Sequence, residues 1–241
     1  MVKWQIERFD TLESTNTYLK ILAEKGAKEG LVIVADSQTS GRGRRGKSFF
    51  SPSKTGLYMS FLIRPKASPE ETLFVTTAAA VALCRAIEKI YPHKPMIKWV
   101  NDVYLGDKKV AGILTEASFK SAEALDFVIV GVGVNVTTEI FPEEIEDIAL
   151  SLGKEDKRDL LLKAVLEEFS AIYDSFPSHD FYEEYKSRSM LIGREIEILG
   201  DEKRFGKVIG VDNRCHLIVE LENKEIISLS TGEVSTRLKT V

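Results

Sequence analysis

The sequence predicts an α+β protein in which a mixed β-sheet flanked by helices is followed by a small β-rich module. Apolar, β-branched runs recur between helical segments, but in the order helix, strands, helix, strands, helices. That order lacks the regular βαβα alternation of a doubly wound sheet. From about Gly193 the texture changes to short alternating strands separated by turn residues, the pattern of a small β-barrel or sandwich. With 241 residues, 44% apolar and 29% charged, the chain has material for one medium domain and an appendage. The expected division is residues 1–190 and residues 191–241. A module of about 50 residues buries little area alone, so it should lean on the larger domain.

Each element follows from local signals. "STNTYLKILAEKG" reads as a helix capped near Ser14 and stopped at Gly26. "LVIVAD" (31–36) and "GLYMSFLI" (56–63) read as buried strands. "SPEETLFVTTAAAVALCRAIEKIYP" has Pro69 near its start, early acids, a late lysine and a terminal Pro92, all helix signals. Strands are expected at 96–100, 102–105, 109–117 and 126–136, with Gly106, Asp107 and Lys108 forming a turn. "PEEIEDIALSLG" and "DKRDLLLKAVLEEFSAIYDSF" read as helices. In the tail, "REIEIL", "FGKVIGVD", "HLIVEL" and "EIISLS" read as strands, with turns at Gly200, Asp212-Asn213 and Glu222-Asn223.

Composition narrows the function. Net charge is −4, so the chain as a whole does not attract nucleic acid, and any anion-binding field must be local. No apolar run approaches the length of a membrane span, and the N-terminus lacks a signal-peptide core. Cys84 and Cys215 are far apart and the histidines His93, His179 and His216 are scattered. Such usage suits a reducing cytoplasm without disulfides or a thiolate metal site.

The most informative stretch is "QTSGRGRRGKSFFSP" (38–52), which contains G-x-G-x-x-G. A dinucleotide turn would end a strand at its first glycine and open a helix at its last. Here the preceding strand ends several residues too early and another strand follows, so that reading fails. A basic nucleic-acid contact is a second reading, with Arg42, Arg44, Arg45 and Lys47 on phosphates and Phe49 and Phe50 stacking. The third is a mobile clamp. Glycines let backbone approach a ligand closely, and arginines offer planar donor forks to phosphate or carboxylate.

Other segments supply companions for a clamp. "KWVND" (98–102) brings Lys98, Trp99, Asn101 and Asp102 to a strand end, and "KKVAGIL" (108–114) sets Lys109 at a strand mouth before Gly112. "GVGVN" (131–135) places Gly131 and Gly133 at alternate positions, leaving one face open for something flat, then Asn135. "ESTN" (13–16) offers hydroxyls and an amide at a helix start. Singly each has an ordinary explanation: Ser14 as a cap, Lys109 as a surface lysine, the glycines as packing, Asn101-Asp102 as a turn.

In this order, "ESTN", "QTSGRGRRGKSF", "KWVND", "KKVAGILTE" and "GVGVN" resemble the catalytic domain of biotin–protein ligases, the biotin–[acetyl-CoA-carboxylase] ligases. The tail, with "STGEVS" (230–235), resembles their small SH3-like β-barrel C-terminal domain. The resemblance implies a class II synthetase-like fold and a C–N bond-forming enzyme that adenylates biotin with ATP and Mg²⁺. The biotin passes to a lysine of a biotin carboxyl carrier domain. It implies that Ser14, Thr15, Asn16 and Gln38 hold the ureido head, and that Gly112, Gly131 and Gly133 line the floor. Arg42, Gly43 and Arg44 would close over the carboxylate and phosphate, with Lys109 the principal catalytic cation beside Arg42 and Arg44. Arg44, Arg45, Lys47, Trp99, Asn101, Asp102, Lys109 and Asn135 would serve ATP, with Asp102 near Mg²⁺ or set against the incoming lysine. Val100, Phe49 and Lys47 depart from the family, where proline, tryptophan and arginine are usual. Because "ESTN" begins at residue 13, a monofunctional ligase without operator binding is expected; the resemblance implies a homodimer, and the composition a cytoplasmic protein. The alternatives are a lipoate ligase or octanoyltransferase, and a non-enzymatic phosphate- or RNA-binding module.

Overall fold

The computed structural model describes residues 2–65, 72–121, 124–175, 180–199, 204–230 and 233–236. Pro69, His179, Gly200, Thr231 and Gly232, named above, lie outside the described residues. The larger sheet has seven strands in the order β1-β2-β3-β7-β6-β5-β4. These are β1 (Gln5–Leu12), β2 (Leu31–Gln38), β3 (Gly56–Ile63), β4 (Met96–Lys98), β5 (Asp102–Leu105), β6 (Lys108–Ser121) and β7 (Ala124–Asn135). Only the β1–β2 pair of this sheet is parallel, which makes it mixed as expected.

Helices cover both faces, and the strands are sorted by period-two alternation. Val128, Val130, Val132 and Val134 of β7 face one core with α2 (Thr72–Ile90) and α3 (Arg158–Asp174). Phe127 and Ile129 face the other, with Leu19 and Ala23 of α1 (Thr15–Glu24). Beyond Ile129 on that second face come Gly131 and Gly133. The side chains thus vanish where α1 begins, and the bared end of the sheet becomes a floor. Ser14 caps α1 by accepting the Thr17 N–H at 3.4 Å, satisfying one of the free donors at the helix start.

Several elements differ from the sequence reading. β4 stops at Lys98 because the chain turns at Trp99 and Val100, and Lys108, expected in a turn, opens β6. β1 is a strand although its alternation is largely polar: it lies at the sheet edge, where one ladder and partial burial suffice. The short α4 (Tyr182–Ser187), also unpredicted, is held by packing of the buried Tyr185. "PEEIEDIALSLG" is not a helix. Its first residues form turns in which Ile145 and Glu146 donate to the Pro142 carbonyl. The chain is then captured by sheet ends: Lys109 N–H to Ile148 O at 2.7 Å, Leu150 N–H to Lys109 O at 2.9 Å, Leu152 N–H to Asn135 O at 3.0 Å. Tertiary pairing overrides the helical spacing. β2 runs two residues past Asp36, to Gln38.

The tail forms a five-stranded antiparallel sheet, β11-β10-β9-β8-β12, from β8 (Glu195–Leu199), β9 (Arg204–Val211), β10 (Leu217–Leu221), β11 (Ile226–Leu229) and β12 (Glu233–Thr236). β12, which begins inside the "STGEVS" segment, was not read as a strand. The sheet is shown, whereas a ladder closing it into a barrel is absent among the described residues. As expected, this module shares the main core: Ile196, Val208, Cys215, Leu217 and Val219 pack in one cluster with α2 and the large sheet. Among the described residues, no helix is long and apolar enough to cross a membrane.

Candidate active site

One end of the large sheet carries a cavity of about 360 Å³. Register explains what lines it. Asp102, Gly112, Gly133 and Tyr58 are directly opposed across four strands, so they share a face. The next row on that face is Leu114, Gly131 and Ser60, and the third begins with Glu116 and Ile129. The two glycine rows form the floor. A Cβ on Gly131 would run into the Asn16 carboxamide, and one on Gly133 would come within 2.7 Å of the Phe49 ring. A Cβ on Gly112 would meet Lys109 Nζ at 3.2 Å. The space over the glycines is therefore shaped by Asn16, Phe49 and Lys109.

The glycine–arginine segment arches over this floor as a short hairpin. Arg42 bridges to Ser48, Gly43 N–H donates to Lys47 O at 2.7 Å, and Phe49 N–H donates to Gly41 O at 2.8 Å. Its turn takes left-handed backbone at Arg45 (φ 54°) and Gly46 (φ 75°). Arg42 and Arg44 reach inward: Arg42 Nη1 lies 3.1 Å from Glu116 Oε1, and Arg44 Nη1 donates to Asn101 Oδ1 at 3.0 Å. Arg45 and Lys47 stand at the exposed rim.

At the far wall, Lys109 Nζ lies 2.8 Å from Asp102 Oδ1, and Asn101 Nδ2 donates to the same oxygen at 3.0 Å. The Trp99–Val100 peptide that leads into Asn101 is cis. Trp99 lines the cavity, but its indole N–H is committed to Cys215 O at 3.0 Å. Val234 of β12 adds an apolar contact, so the C-terminal module contributes to the wall. Asn135 is buried and donates to Leu150 O at 3.2 Å, which holds the captured segment in place. Tyr104, also lining the cavity, has its phenol pushed up to about 12 by burial and then by the nearby Asp102 charge, so it stays neutral.

The opposite end is a polar pocket. The Thr15 N–H donates to Gln38 Oε1 at 2.9 Å, and Gln38 Nε2 donates to Ser51 Oγ at 2.9 Å. Ser60 Oγ lies 2.7 Å from Thr15 Oγ1 and 2.6 Å from Asn16 Oδ1. Asn16 Nδ2 donates to Leu114 O at 3.2 Å and to Glu116 Oε2 at 2.8 Å. Buried polar side chains in such a network are held in one arrangement.

Every site residue expected from the sequence lines this one cavity: Ser14, Thr15, Asn16, Gln38, Arg42, Gly43, Arg44, Arg45, Lys47, Trp99, Asn101, Asp102, Lys109, Gly112, Gly131, Gly133 and Asn135. Sequence reasoning missed Glu116, Ser60, Ser51, Tyr104 and Val234. Two of these left a trace: Ser60 is the lone polar residue in an apolar strand, and Glu116 continues the floor alternation after Gly112 and Leu114. Among the described residues no three His, Cys, Asp or Glu side chains cluster to hold a metal.

Residues 8–135 match the model of the biotin/lipoate A/B protein ligase family, and residues 191–237 match the biotin protein ligase C-terminal domain. The bifunctional ligase/repressor BirA of Bacillus subtilis is 34% identical, over 88% of this chain and 68% of the relative. The biotin–[acetyl-CoA-carboxylase] ligase of Mycobacterium tuberculosis is 29% identical, over 92% of this chain and 85% of that one. The biotin protein ligase from Aquifex aeolicus, solved in complex with biotin and ATP, superposes with a TM-score of 0.84 at 33% identity. It covers 97% of this chain and 98% of its own. With a matching family model over more than half its length and relatives this similar along nearly all of it, the chain belongs to the biotin/lipoate A/B protein ligase family.

Proposed function

We propose that the protein is a biotin–protein ligase that makes biotinyl-5′-AMP from biotin and ATP and then biotinylates a lysine of a carrier domain. In the first step a biotin carboxylate oxygen bonds to the α-phosphorus, and the bond from that phosphorus to pyrophosphate breaks. In the second, a lysine ε-amine attacks the acyl carbon; an amide forms, AMP leaves and the amine loses a proton. The barrier of the first step lies in bringing two anions together, which fixed cations and positioning relieve. The observation that carries this reading is that Arg42, Arg44 and Lys109 all line one glycine-floored cavity that also holds a polar pocket.

Within that reading, Ser14, Thr15, Asn16 and Gln38 form the head pocket, and Gly112, Gly131 and Gly133 give access along the floor. Lys109 and the two clamp arginines meet the carboxylate and α-phosphate, while Arg45, Lys47, Trp99, Asn101 and Asn135 serve the nucleotide. Mg²⁺ commonly binds through one or two carboxylates together with substrate phosphates and water. Asp102 supplies one carboxylate in the cavity, which fits that pattern; the ion would neutralise phosphate charge. Neither step calls for a protein nucleophile. Consistent with that, burial pushes the Cys84 thiol up to about 12 and Cys215 to about 11, which keeps both as unreactive thiols.

The acceptor is read as the carrier domain of a biotin-dependent carboxylase, the division of the chain as residues 1–190 and 191–241, the compartment as the cytoplasm, and the assembly as a homodimer. The deciding experiment is ATP–pyrophosphate exchange. It is expected to depend on biotin and not on lipoate; dependence on lipoate, or RNA binding without exchange, would replace this reading.

A further inference from the structure

Glu116 belongs to none of the roles above, yet it joins two of the parts that define the head end of the cavity. It sits on the floor face of β6, directly opposite Ile129 and one step past Leu114, and its side chain is 21% exposed. Oε2 accepts from Asn16 Nδ2 at 2.8 Å and from Arg42 Nη1 at 3.2 Å, and Oε1 lies 3.1 Å from the same Arg42 nitrogen. One carboxylate thus ties the start of α1 to the clamp hairpin.

The consequence for Asn16 follows from counting its hydrogen-bonding groups. A carboxamide has two N–H donors and an oxygen with two lone pairs. Both donors of Asn16 are spent, on Glu116 and on Leu114 O. Its oxygen is 2.6 Å from Ser60 Oγ and retains one lone pair. The space this oxygen occupies exists because residue 131 has no Cβ. A ligand N–H can therefore be received by Asn16, whereas a ligand acceptor finds no donor there.

Resting on the ligase reading, we propose that Glu116 is a positioning residue. It fixes the Asn16 carboxamide with its oxygen as the available group and aligns Arg42 across the same end. The head pocket is thereby made selective for a cyclic urea N–H. A rival effect is competition, since Glu116 could hold Arg42 away from the substrate carboxylate. Arg42 is 47% exposed, so its ion pair is weak and solvent-screened, while the Asn16 contact is more sheltered, with Asn16 buried and Glu116 partly so. Positioning therefore outweighs competition.

Glu116→Gln is isosteric, and it can present an N–H where Asn16 needs an acceptor. Expected is a rise of roughly ten- to a hundredfold in the biotin dissociation constant, measured by calorimetry without ATP, the range for losing one charged hydrogen bond. KM for ATP should stay within about twofold, a split that general loosening of the fold would not give. In a cycle with Asn16→Ala, the double variant should lose less than the sum of the single losses. Unchanged or tighter biotin binding by Glu116→Gln, additive losses, or an equal rise in both substrates' constants would overturn the inference. Absence of biotin-dependent exchange in the unsubstituted protein would instead remove the ligase reading on which it rests.

Discussion

Lys109 Nζ and Asp102 Oδ1 lie 2.8 Å apart across the β5–β6 pair, and both side chains are only partly exposed. The aspartate holds the ammonium over Gly112 rather than letting it drift into solvent. Because the lysine acts on charge that develops during phosphoryl transfer, Lys109→Ala should lower exchange activity about a hundred- to a thousandfold. Biotin binding without ATP should change far less. Near-normal exchange would show that Lys109 is a surface cation.

The hairpin of residues 41–49 is held by a few main-chain bonds of its own and two arginine contacts to the cavity wall. If it is a clamp that seals a water-sensitive mixed anhydride, biotin with ATP should slow tryptic cleavage at Arg42, Arg44 and Arg45. Equal cleavage with and without ligands would count against closure.

Gly131→Ala places a methyl group against the Asn16 carboxamide. Expected is a marked loss of biotin affinity together with about 1–3 kcal/mol of stability, the usual cost of overpacking. Gly153→Ala is the control, since its Cβ meets only the Tyr91 ring at an ordinary 3.7 Å. Equal behaviour of the two variants in biotin titrations would show that the space over Gly131 has no special use.

Trp99→Phe keeps an aromatic ring in the wall but strands the Cys215 carbonyl, which the indole N–H now satisfies. Leaving a buried acceptor unpaired costs about 1–3 kcal/mol. Urea unfolding should report that loss, and because the bond joins the two parts of the chain, the C-terminal strands should become more susceptible to proteolysis. An unchanged midpoint would mean that water replaces the indole.

Acid should loosen the contact between α2 and α4. Burial alone would raise the Glu184 carboxyl, but hydrogen bonds from Arg85 and Arg188 outweigh it and leave it below the usual glutamate range. A carboxylate depressed by folding stabilises the protein fully above its unfolded pKa, and that contribution is lost as pH falls through the folded value. Glu184→Gln should therefore melt earlier than the unsubstituted protein at neutral pH, with the gap closing towards acid. A gap independent of pH would refute the linkage.

Much of this arrangement was legible beforehand because it depends on local periodicity. Alternation in "DFVIVGVGVNV" puts both glycines on one face wherever the strand lies, and "STNTYLKILAEKG" carries its own helix cap and stop. The edge strand β1 was not legible, since its polar alternation carries little hydrophobic signal. Neither was the fate of "PEEIEDIALSLG", whose helical spacing lost to main-chain bonds with Lys109 and Asn135.

The chain's own order of residues determined which groups are available: three inward cations, a set of glycines at alternate positions, and a capped amide-bearing helix start. Only tertiary structure decided how they face one another. Strand register set Gly112 beside Gly133 and Leu114 beside Gly131, and packing of α1 lowered Asn16 onto Glu116. Asn16 and Glu116 stand a hundred positions apart, and their meeting depends on which elements become neighbours, a choice made by burial of the whole sheet rather than by any local stretch.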